Sequence, residues 1–336
     1  MKKFRDIVRS GEKLQDIADH LLAYIRDRKT VARERLQRRF KLDADELAAA
    51  LREIGNWGYR LKLSAKDVTF VDAPDLLTAT EVGYQLKTRL IGRHIHSYRL
   101  VKSTNDLVSQ MAESGAPEGS IVTAEQQSQG RGRLGRTWFS PESTGIYVSI
   151  LLRPHIKPEQ APGLSIMTSL ALADTLDPVA PGEVQIKWPN DILIGGKKVC
   201  GVLTELSAER HRILHVVVGV GINVNQRAAD FPADIKRTAT SLRVVTKKKL
   251  NRAELLKSFL RNFEREYLDY QKYGLKKSQR RLRKYSSMLG KSVRILSGEN
   301  VIEGVAVDID TSGALILYHG GKRIPISAGE VSILKQ

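Results

Sequence analysis

The N-terminal part of the chain has the apolar spacing of short helices followed by strands. The apolar positions of a first helix recur every three or four residues, at Leu14, Ile17, Leu21, Leu22 and Ile25. Thr30 is placed to cap a second helix and Asp43 or Asp45 a third, because short polar side chains accept hydrogen bonds from a first helical turn. Period-two alternation then predicts strands at residues 59–63 and 68–71. Three helices and a hairpin have the element order of a winged helix-turn-helix.

A longer stretch follows in which strands and helices are mixed. Its strands are short apolar runs at residues 96–102, 121–124, 145–152, 183–188, 192–194, 197–206 and 216–224. One helix is predicted to start near Ser103 and Thr104, and two more are predicted over residues 158–176 and 251–270. Gly195 and Gly196 predict a tight hairpin turn. The pattern indicates a mixed-sheet domain.

Five short strands separated by glycine-containing turns follow Gly290, which is typical of a small SH3-like β-barrel. The predicted fold class is therefore α+β in three domains. These are a winged helix-turn-helix domain at residues 1–71, a linker at 72–80, a mixed-sheet domain at 81–288 and the barrel at 289–336.

Composition excludes several classes of protein. Among 336 residues, 41% are hydrophobic and 27% are charged, which is typical of a globular protein. We expect no membrane partner, because no apolar run approaches the ~20 residues that span a bilayer. The charged N-terminus lacks the apolar segment of a signal peptide, and the single Cys200 excludes an internal disulfide. We therefore expect a cytoplasmic protein.

The net charge of +18 favours anionic partners without choosing among them. Part of the excess lies at residues 247–249 and 276–284, which could equally be solvated surface. The basic residues expected at a DNA surface are Arg33, Arg38, Arg39, Arg52 and Lys62. The third helix, however, opens with Asp45 and Glu46, and base recognition needs Arg, Lys, Asn or Gln near the start of the helix. A structural or dimer-supporting domain is the alternative.

The most distinctive stretch is the arginine loop, Gly130–Arg136, in which three glycines alternate with three arginines. Glycine allows the backbone to approach a ligand closely, and arginine offers forked donors that match phosphate or carboxylate oxygens. An RNA-binding tract of this kind would repeat in low-complexity sequence, whereas this loop occurs once between predicted strands. We interpret it as a loop that binds a small anion.

Several separated motifs resemble those of the bifunctional biotin protein ligases that also repress the biotin operon. They are Ser103–Asn105, Gln127 with the arginine loop, Lys187–Asp191, Lys198–Gly201 and Gly221–Val224. Their combination in this order is specific, and the resemblance covers roughly the whole chain. It implies ATP-dependent activation of biotin to biotinyl-5′-AMP, then transfer to a lysine of a biotin carboxyl carrier protein. It also implies a homodimer and, as a second role, binding to operator DNA of biotin genes.

The resemblance also implies roles for individual residues. The biotin site comprises Ser103, Thr104, Asn105, Gln127, Gly130, Arg131, Arg133, Lys198 and Gly201. The ATP and adenylate site comprises Arg131, Arg133, Arg136, Trp138, Lys187, Asn190 and Asn223. The catalytic groups are Lys198, Arg131, Arg133 and Asp191, and Asn190 and Asp191 are the candidate ligands for Mg²⁺.

Each of these assignments has a structural alternative. Ser103 or Thr104 could cap a helix, residues 189–191 could form a simple tight turn, and Trp138 could belong to the core. Two other functional classes also remain: a relative that uses lipoate or octanoate, and a DNA-binding regulator with a degenerate enzyme domain. The full set of ligase motifs favours the biotin enzyme over both.

Overall fold

The computed structural model describes residues 11–209, 212–297 and 300–334. The chain forms two compact units, Met1–Asp75 and Leu76–Gln336. No helix in the described ranges is long and apolar enough to cross a membrane.

The N-terminal unit has a small core covered by helices and a three-stranded sheet. Its elements are α1 (Gly11–Arg28), β1 (Thr30–Ala32), α2 (Arg33–Phe40), α3 (Ala44–Asn56), β2 (Arg60–Leu63) and β3 (Asp67–Asp72). The sheet order is β1-β3-β2, with both pairings antiparallel. The apolar face predicted for the first helix is confirmed, since Ile17, Leu21, Leu22 and Ile25 are buried.

The start of the second helix differs from the prediction. Thr30 does not cap it but lies in β1, paired with Thr69 of β3, and the actual cap position, Ala32, makes no side-chain bond. Val31, which lies between Thr30 and Ala32 in the sequence, is buried, so the packing of this apolar residue holds the segment in the sheet. Asp43, in contrast, caps α3 and forms a reciprocal capping box with Glu46.

The second unit is organised around a seven-stranded mixed sheet. Its strands are β4 (Ile95–Val101), β5 (Ile121–Gln127), β6 (Gly145–Leu152), β7 (Val184–Lys187), β8 (Asp191–Ile194), β9 (Lys197–Glu209) and β10 (Arg212–Asn223). The order is β4-β5-β6-β10-β9-β8-β7, in which only β4 and β5 pair in parallel among these strands. The β9–β10 hairpin extends further than the sequence pattern predicted, to Glu209 and Arg212.

Helices pack against both faces of this sheet, and the helix that begins at Thr104 lies on the same face as the site. The helices are α4 (Ala79–Gly83), α5 (Thr104–Glu113), α6 (Pro162–Leu176), α7 (Leu242–Thr246), α8 (Arg252–Tyr273) and α9 (Gln279–Tyr285). Val216, Val218, Val220 and Ile222 of β10 alternate into the core that α6 and α8 share. The period-two alternation therefore directs Gly219 and Gly221 to the opposite face.

The C-terminal segment forms an all-antiparallel sheet whose core continues into that of the central sheet. Its strands are β11 (Ser292–Ser297), β12 (Asn300–Ile309), β13 (Leu315–His319), β14 (Lys322–Ile326) and β15 (Glu330–Ile333), in the order β14-β13-β12-β11-β15. Val293, Ile295 and Leu315 belong to the same apolar cluster as β10. The buried Trp188 side chain also donates from Nε1 to the carbonyl of Gly313 at 2.9 Å.

The basic stretch at residues 276–284 is more than a solvated surface. Part of it forms α9, in which Arg281 pairs with both Asp174 and Glu266. Arg283 Nε also lies 2.7 Å from Asp308 Oδ1. These ion pairs fasten α9 to its neighbours, and they escaped the sequence analysis because their partners are distant along the chain.

Candidate active site

Three glycines line a furrow on the face of the central sheet that also carries α5. Gly201 of β9 and Gly221 of β10 are directly paired, and Gly219 lies two residues away on the same face. A Cβ added to Gly219 would lie 2.1 Å from Asn105 Oδ1, and one on Gly221 would lie 2.3 Å from Trp138 Cε2. Side chains from α5 and from the end of the arginine loop therefore occupy space that any larger residue would take.

A hydrogen-bonded group of small polar side chains forms one end of the furrow. Thr104 donates to Gln127 Oε1 from its backbone N at 2.9 Å and from Oγ1 at 3.1 Å. Ser149 Oγ donates to Asn105 Oδ1 at 2.5 Å and lies 2.7 Å from Thr104 Oγ1. Ser103 lines the same cleft and makes no capping bond through its side chain. The structure therefore brings together all four predicted polar residues, and it adds Ser149.

The arginine loop folds back on itself as a small hairpin beside the furrow. Gly132 N donates to the carbonyl of Arg136 at 2.7 Å, and Trp138 N donates to that of Gly130 at 2.8 Å. Leu134 at the tip has a φ of 55° and a relative exposure of 71%. Gly130 is closely surrounded, since an added Cβ would lie 2.7 Å from Ser140 Oγ. The loop is therefore ordered at its base and exposed at its tip.

The three arginines of the loop have different partners. Arg131 is held by two carboxylates, with Nη1 at 2.6 Å from Asp106 Oδ1 and Nη2 at 2.9 Å from Glu205 Oε1. Partial burial lowers the pKa of the Arg131 guanidinium, but the charges of Glu205 and Asp106 outweigh it, so this pKa lies above its usual range. Arg131 is thus already neutralised within the chain.

Arg133 and Arg136 contact the start of the C-terminal β15. Arg133 donates to Asn190 Oδ1 at 3.1 Å and to the carbonyl of Gly329 at 3.3 Å. Arg136 forms an ion pair with Glu330. Arg133 lines the cleft and has only neutral partners among these contacts, which leaves its charge available to an anion.

Lys198 lies where the furrow meets the arginine loop. Its Nζ is 2.6 Å from Asp191 Oδ1 and 5.3 Å from the centre of the Trp138 ring. The Lys198 side chain is 34% exposed, so an incoming ligand can reach it. The next inward residue on β9, Cys200, is fully buried, and burial raises the pKa of its thiol well above the usual range. Lys198 is therefore the charged side chain of β9 that lines the cleft.

Five predicted site residues lie outside the lining of the cleft, namely Gly130, Arg136, Lys187, Asp191 and Asn223. Lys187 lies opposite Asp191 in the backbone register of β7 and β8. Neither Lys187 nor Asn223 is among the described residues that line the cleft. Asn223 is buried and donates from Nδ2 to the carbonyl of Thr240 at 3.0 Å. Conversely, the sequence analysis missed Gly219, Ser140 and Glu205. The alternation of valine with glycine along β10 was the available signal for Gly219.

The candidate metal ligands face cations. Asp191 pairs with Lys198, and Asn190 accepts from Arg133 while its Nδ2 donates to the carbonyl of Val202 at 2.8 Å. The described residues contain no cluster of three or more His, Cys, Asp or Glu side chains placed to hold a metal ion. One carboxylate and one amide oxygen fit an ion that is bound mainly through the phosphates of a substrate.

The candidate DNA residues lie in the N-terminal unit. Arg38, Arg52 and Lys62 are exposed. Arg33 donates from Nε to the carbonyl of Ser64 at 2.8 Å and so ties α2 to the β2–β3 turn. Arg39 stacks 5.2 Å from the centre of the Tyr24 ring.

Comparisons with known proteins agree with this geometry. Residues 97–223 match the biotin/lipoate A/B protein ligase family, and residues 288–334 match the biotin protein ligase C-terminal domain. The bifunctional ligase/repressor BirA of Bacillus spizizenii is 36% identical over 268 residues, which cover 80% of this chain and 82% of that protein. The biotin–[acetyl-CoA-carboxylase] ligase of Mycobacterium tuberculosis is 34% identical, over 74% of this chain and 94% of the relative.

A solved structure has the same fold. The biotin protein ligase of Aquifex aeolicus in complex with biotin and ATP superposes with a TM-score of 0.63 at 31% sequence identity. The match covers 73% of this chain and 100% of that chain. The extent of these matches and the shared motifs confirm the resemblance found in the sequence. The chain belongs to the biotin protein ligase family, alongside the bifunctional ligase/repressor proteins.

Proposed function

We propose that the protein is an ATP-dependent biotin protein ligase. The observation that carries this proposal is the convergence, at one glycine-lined furrow, of a polar pocket, a lysine and an arginine whose hydrogen-bond partners, Asn190 and Gly329, are neutral. Thr104 and Gln127 supply the pocket, and Lys198 and Arg133 supply positive charge at its other end. A ligand with a polar ring, an apolar chain and a terminal carboxylate matches this arrangement, and biotin has all three.

The polar end of the furrow is the proposed binding site for the biotin ring. Its ureido group needs both donors and acceptors in a dry environment, and Ser103, Thr104, Asn105 and Gln127 offer both. Ser103, Thr104 and Asn105 are each about 4% exposed, so bonds to the ligand would form away from water. Gly201 and Gly221 make room for the Trp138 ring and Gly219 makes room for Asn105, so these two side chains would border the apolar chain of biotin.

Replacing Gly219 with alanine tests this proposed biotin-binding site. The added Cβ would lie 2.1 Å from Asn105 Oδ1 and so would displace that side chain. We expect biotin to bind about tenfold more weakly, since such overpacking costs one to several kcal/mol. Isothermal titration calorimetry gives the affinity. Gly83→Ala is the control, because its Cβ would meet its nearest neighbour at 3.6 Å. Equal biotin affinity in both variants would contradict the proposed binding site.

Adenylation is the proposed first step. A carboxylate oxygen of biotin attacks the α-phosphorus of ATP, a new O–P bond forms, and the bond to pyrophosphate breaks. The reaction brings two anions together, so fixed positive charge is its main requirement. Lys198 can bridge the carboxylate and the α-phosphate, and Arg133 with Arg136 can hold phosphate oxygens. Trp138 would stack on the adenine, with Lys187 and Asn223 at the nucleotide end.

Transfer is the proposed second step. The amine of an acceptor lysine on a biotin carboxyl carrier protein attacks the acyl carbon, AMP leaves, and the amine loses a proton. Asp191 Oδ1 lies 2.6 Å from Lys198 Nζ, and its carboxylate is the group that we propose orients the incoming amine. Asn190 and Asp191 would help to hold Mg²⁺, which neutralises phosphate charge when it is bound.

An ATP–pyrophosphate exchange assay with biotin, and with lipoate in parallel, tests the enzyme function. We expect exchange that depends on biotin and is absent with lipoate. Transfer is then followed as label from biotin appearing on a carrier protein. Exchange supported by lipoate alone would instead favour a lipoate-using relative.

A role as repressor of biotin genes is the second proposed function, supported by the bifunctional relatives and by exposed basic residues in the N-terminal unit. We propose that this unit is a winged helix-turn-helix, with α3 in the recognition position. Its first turn carries Asp45 and Glu46, so phosphate contacts by Arg38, Arg39 and Lys62 would dominate.

A gel shift with biotin-operon DNA and a scrambled duplex at ~150 mM salt tests the repressor role, because lower salt would reveal only phosphate binding. We expect selective retardation when biotin and ATP are present. Equal binding to both duplexes would exclude specific repression.

We also propose three domains, with boundaries after residues 71, 80 and 288, and an SH3-like barrel at the C-terminus. The division after Asp75 and the family match that starts at residue 288 support these boundaries. A homodimer is the proposed assembly, because a palindromic operator requires two-fold symmetry.

A further inference from the structure

The side chains beneath the arginine loop form a hydrogen-bonded chain that begins on the loop itself. Arg131 Nη2 donates to Glu205 Oε1 at 2.9 Å. The other carboxylate oxygen, Oε2, accepts from Asn105 Nδ2 at 2.6 Å. Asn105 Oδ1 in turn accepts from Ser149 Oγ at 2.5 Å. Glu205 therefore contacts the loop with one oxygen and the floor of the furrow with the other.

The same chain continues to Trp138, just beyond the loop. Ser149 Oγ lies 2.7 Å from Thr104 Oγ1, which donates to Gln127 Oε1 at 3.1 Å. Gln127 Nε2 donates to Ser140 Oγ, and Ser140 Oγ donates to the carbonyl of Trp138, both at 3.0 Å. Arg131 in the arginine loop and Trp138, two residues beyond the loop, are thus joined to the polar pocket through one continuous set of bonds.

A hydrogen bond to Asn105 distinguishes Glu205 from Asp106, the other carboxylate that pairs with Arg131. Asp106 also pairs with Arg131, at 2.6 Å, but within the described chain it has no bond to Asn105. Only the Glu205 carboxylate therefore connects the guanidinium to a residue of the pocket. Because two carboxylates already neutralise Arg131, this arginine anchors the loop, and Arg133 is left as the cation for the ligand.

We propose that Glu205 is a positioning residue that couples the biotin pocket to the arginine loop. This inference rests on the proposed ligase function. A ligand that bonds to Asn105 or Gln127 competes for, or polarises, the bonds that hold Glu205 and Ser140, and the change reaches both Arg131 and Trp138. Biotin then raises the affinity for ATP, and by linkage ATP raises the affinity for biotin by the same factor.

The test compares Glu205→Gln with two matched variants that each remove one negative charge. Asp106→Asn removes the other carboxylate from Arg131, and Glu209→Gln alters an exposed position four residues along the same strand. The affinity for biotin, and the affinity for a non-hydrolysable ATP analogue with and without biotin, are measured by calorimetry.

We expect Glu205→Gln to bind biotin about tenfold more weakly, as loss of a charged hydrogen-bond acceptor predicts, and to lose the enhancement of analogue binding by biotin. Asp106→Asn should keep the biotin affinity of the wild type, and Glu209→Gln should match the wild type in every measurement. Ser149→Ala breaks the same chain at Asn105 without changing charge, so it decides the question by the same loss of enhancement if Glu205→Gln does not fold.

Unchanged enhancement in both Glu205→Gln and Ser149→Ala would overturn the proposal. An equal loss of biotin affinity in Asp106→Asn would also overturn it, because simple anchoring of the loop would then explain the effect. A wild-type protein that binds no biotin would instead contradict the proposed function, which keeps the two failures distinct.

Discussion

Replacing Lys198 with glutamine is expected to slow biotin adenylation by about a thousandfold. The reaction joins a carboxylate to a phosphate, and both groups are anions. Lys198 is the lysine that lines the cleft, and its ammonium lies 2.6 Å from Asp191 Oδ1. Glutamine keeps a hydrogen-bond donor on a side chain one atom shorter and removes the charge. The loss should therefore appear mainly in kcat of ATP–pyrophosphate exchange, with a smaller change in biotin affinity.

Lys197→Gln is the matched control for this experiment. Lys197 precedes Lys198 on β9, it is exposed, and it lies outside the cleft lining. We expect its exchange rate to stay within about twofold of the wild type, as for most surface changes. Similar losses in both variants would show that positive charge on this hairpin acts only through general attraction of ATP, and would remove Lys198 from the reaction.

Replacing Arg252 with methionine is expected to cost about 3–5 kcal/mol of unfolding free energy. The Arg252 side chain is 0% exposed, and its Nη1 lies 2.7 Å from Glu125 Oε2 and 3.1 Å from the carbonyl of Gly145. Methionine fills much of the space but leaves the Glu125 carboxylate buried without its cation. Urea unfolding followed by circular dichroism measures the loss.

Arg261→Met provides the comparison for this stability measurement, because Arg261 lies on the same helix and is exposed. Its midpoint should stay close to that of the wild type. The double variant Glu125→Gln with Arg252→Met should recover part of the loss, since no buried charge then remains. A loss below about 1 kcal/mol in Arg252→Met would mean that water reaches the pair.

Much of the site could be predicted because its residues lie in short motifs. The sequence predicts site roles for Arg131 and Arg133 of the arginine loop, for Thr104 with Gln127, and for Lys198, and all of these residues line the cleft. Each motif carries its own local chemistry, such as glycines that let a loop approach an anion. The partners of these residues could not be predicted in the same way.

Arg131 shows why. From the sequence it is one of three equivalent arginines, whereas in the fold it is bound to Glu205, 74 residues further along the chain. The roles predicted for Lys187 and Asn223 meet the same limit, because the fold places both outside the cleft lining. The identity of a residue determines which bonds it can make, and the sheet order determines which partner is within reach.

The sequence by itself determined the elements, the motifs and the family. Helical and period-two spacing depend on neighbours a few residues apart, so β6 and an aspartate cap on α3, at Asp43 or Asp45, could be predicted locally, and the structure has Asp43. Only the tertiary structure decided that Thr30 joins a strand, that Gly219 opens a furrow, and that Arg252 is buried against a residue 127 positions away. These outcomes depend on which distant segments pack together, and that choice belongs to the whole fold.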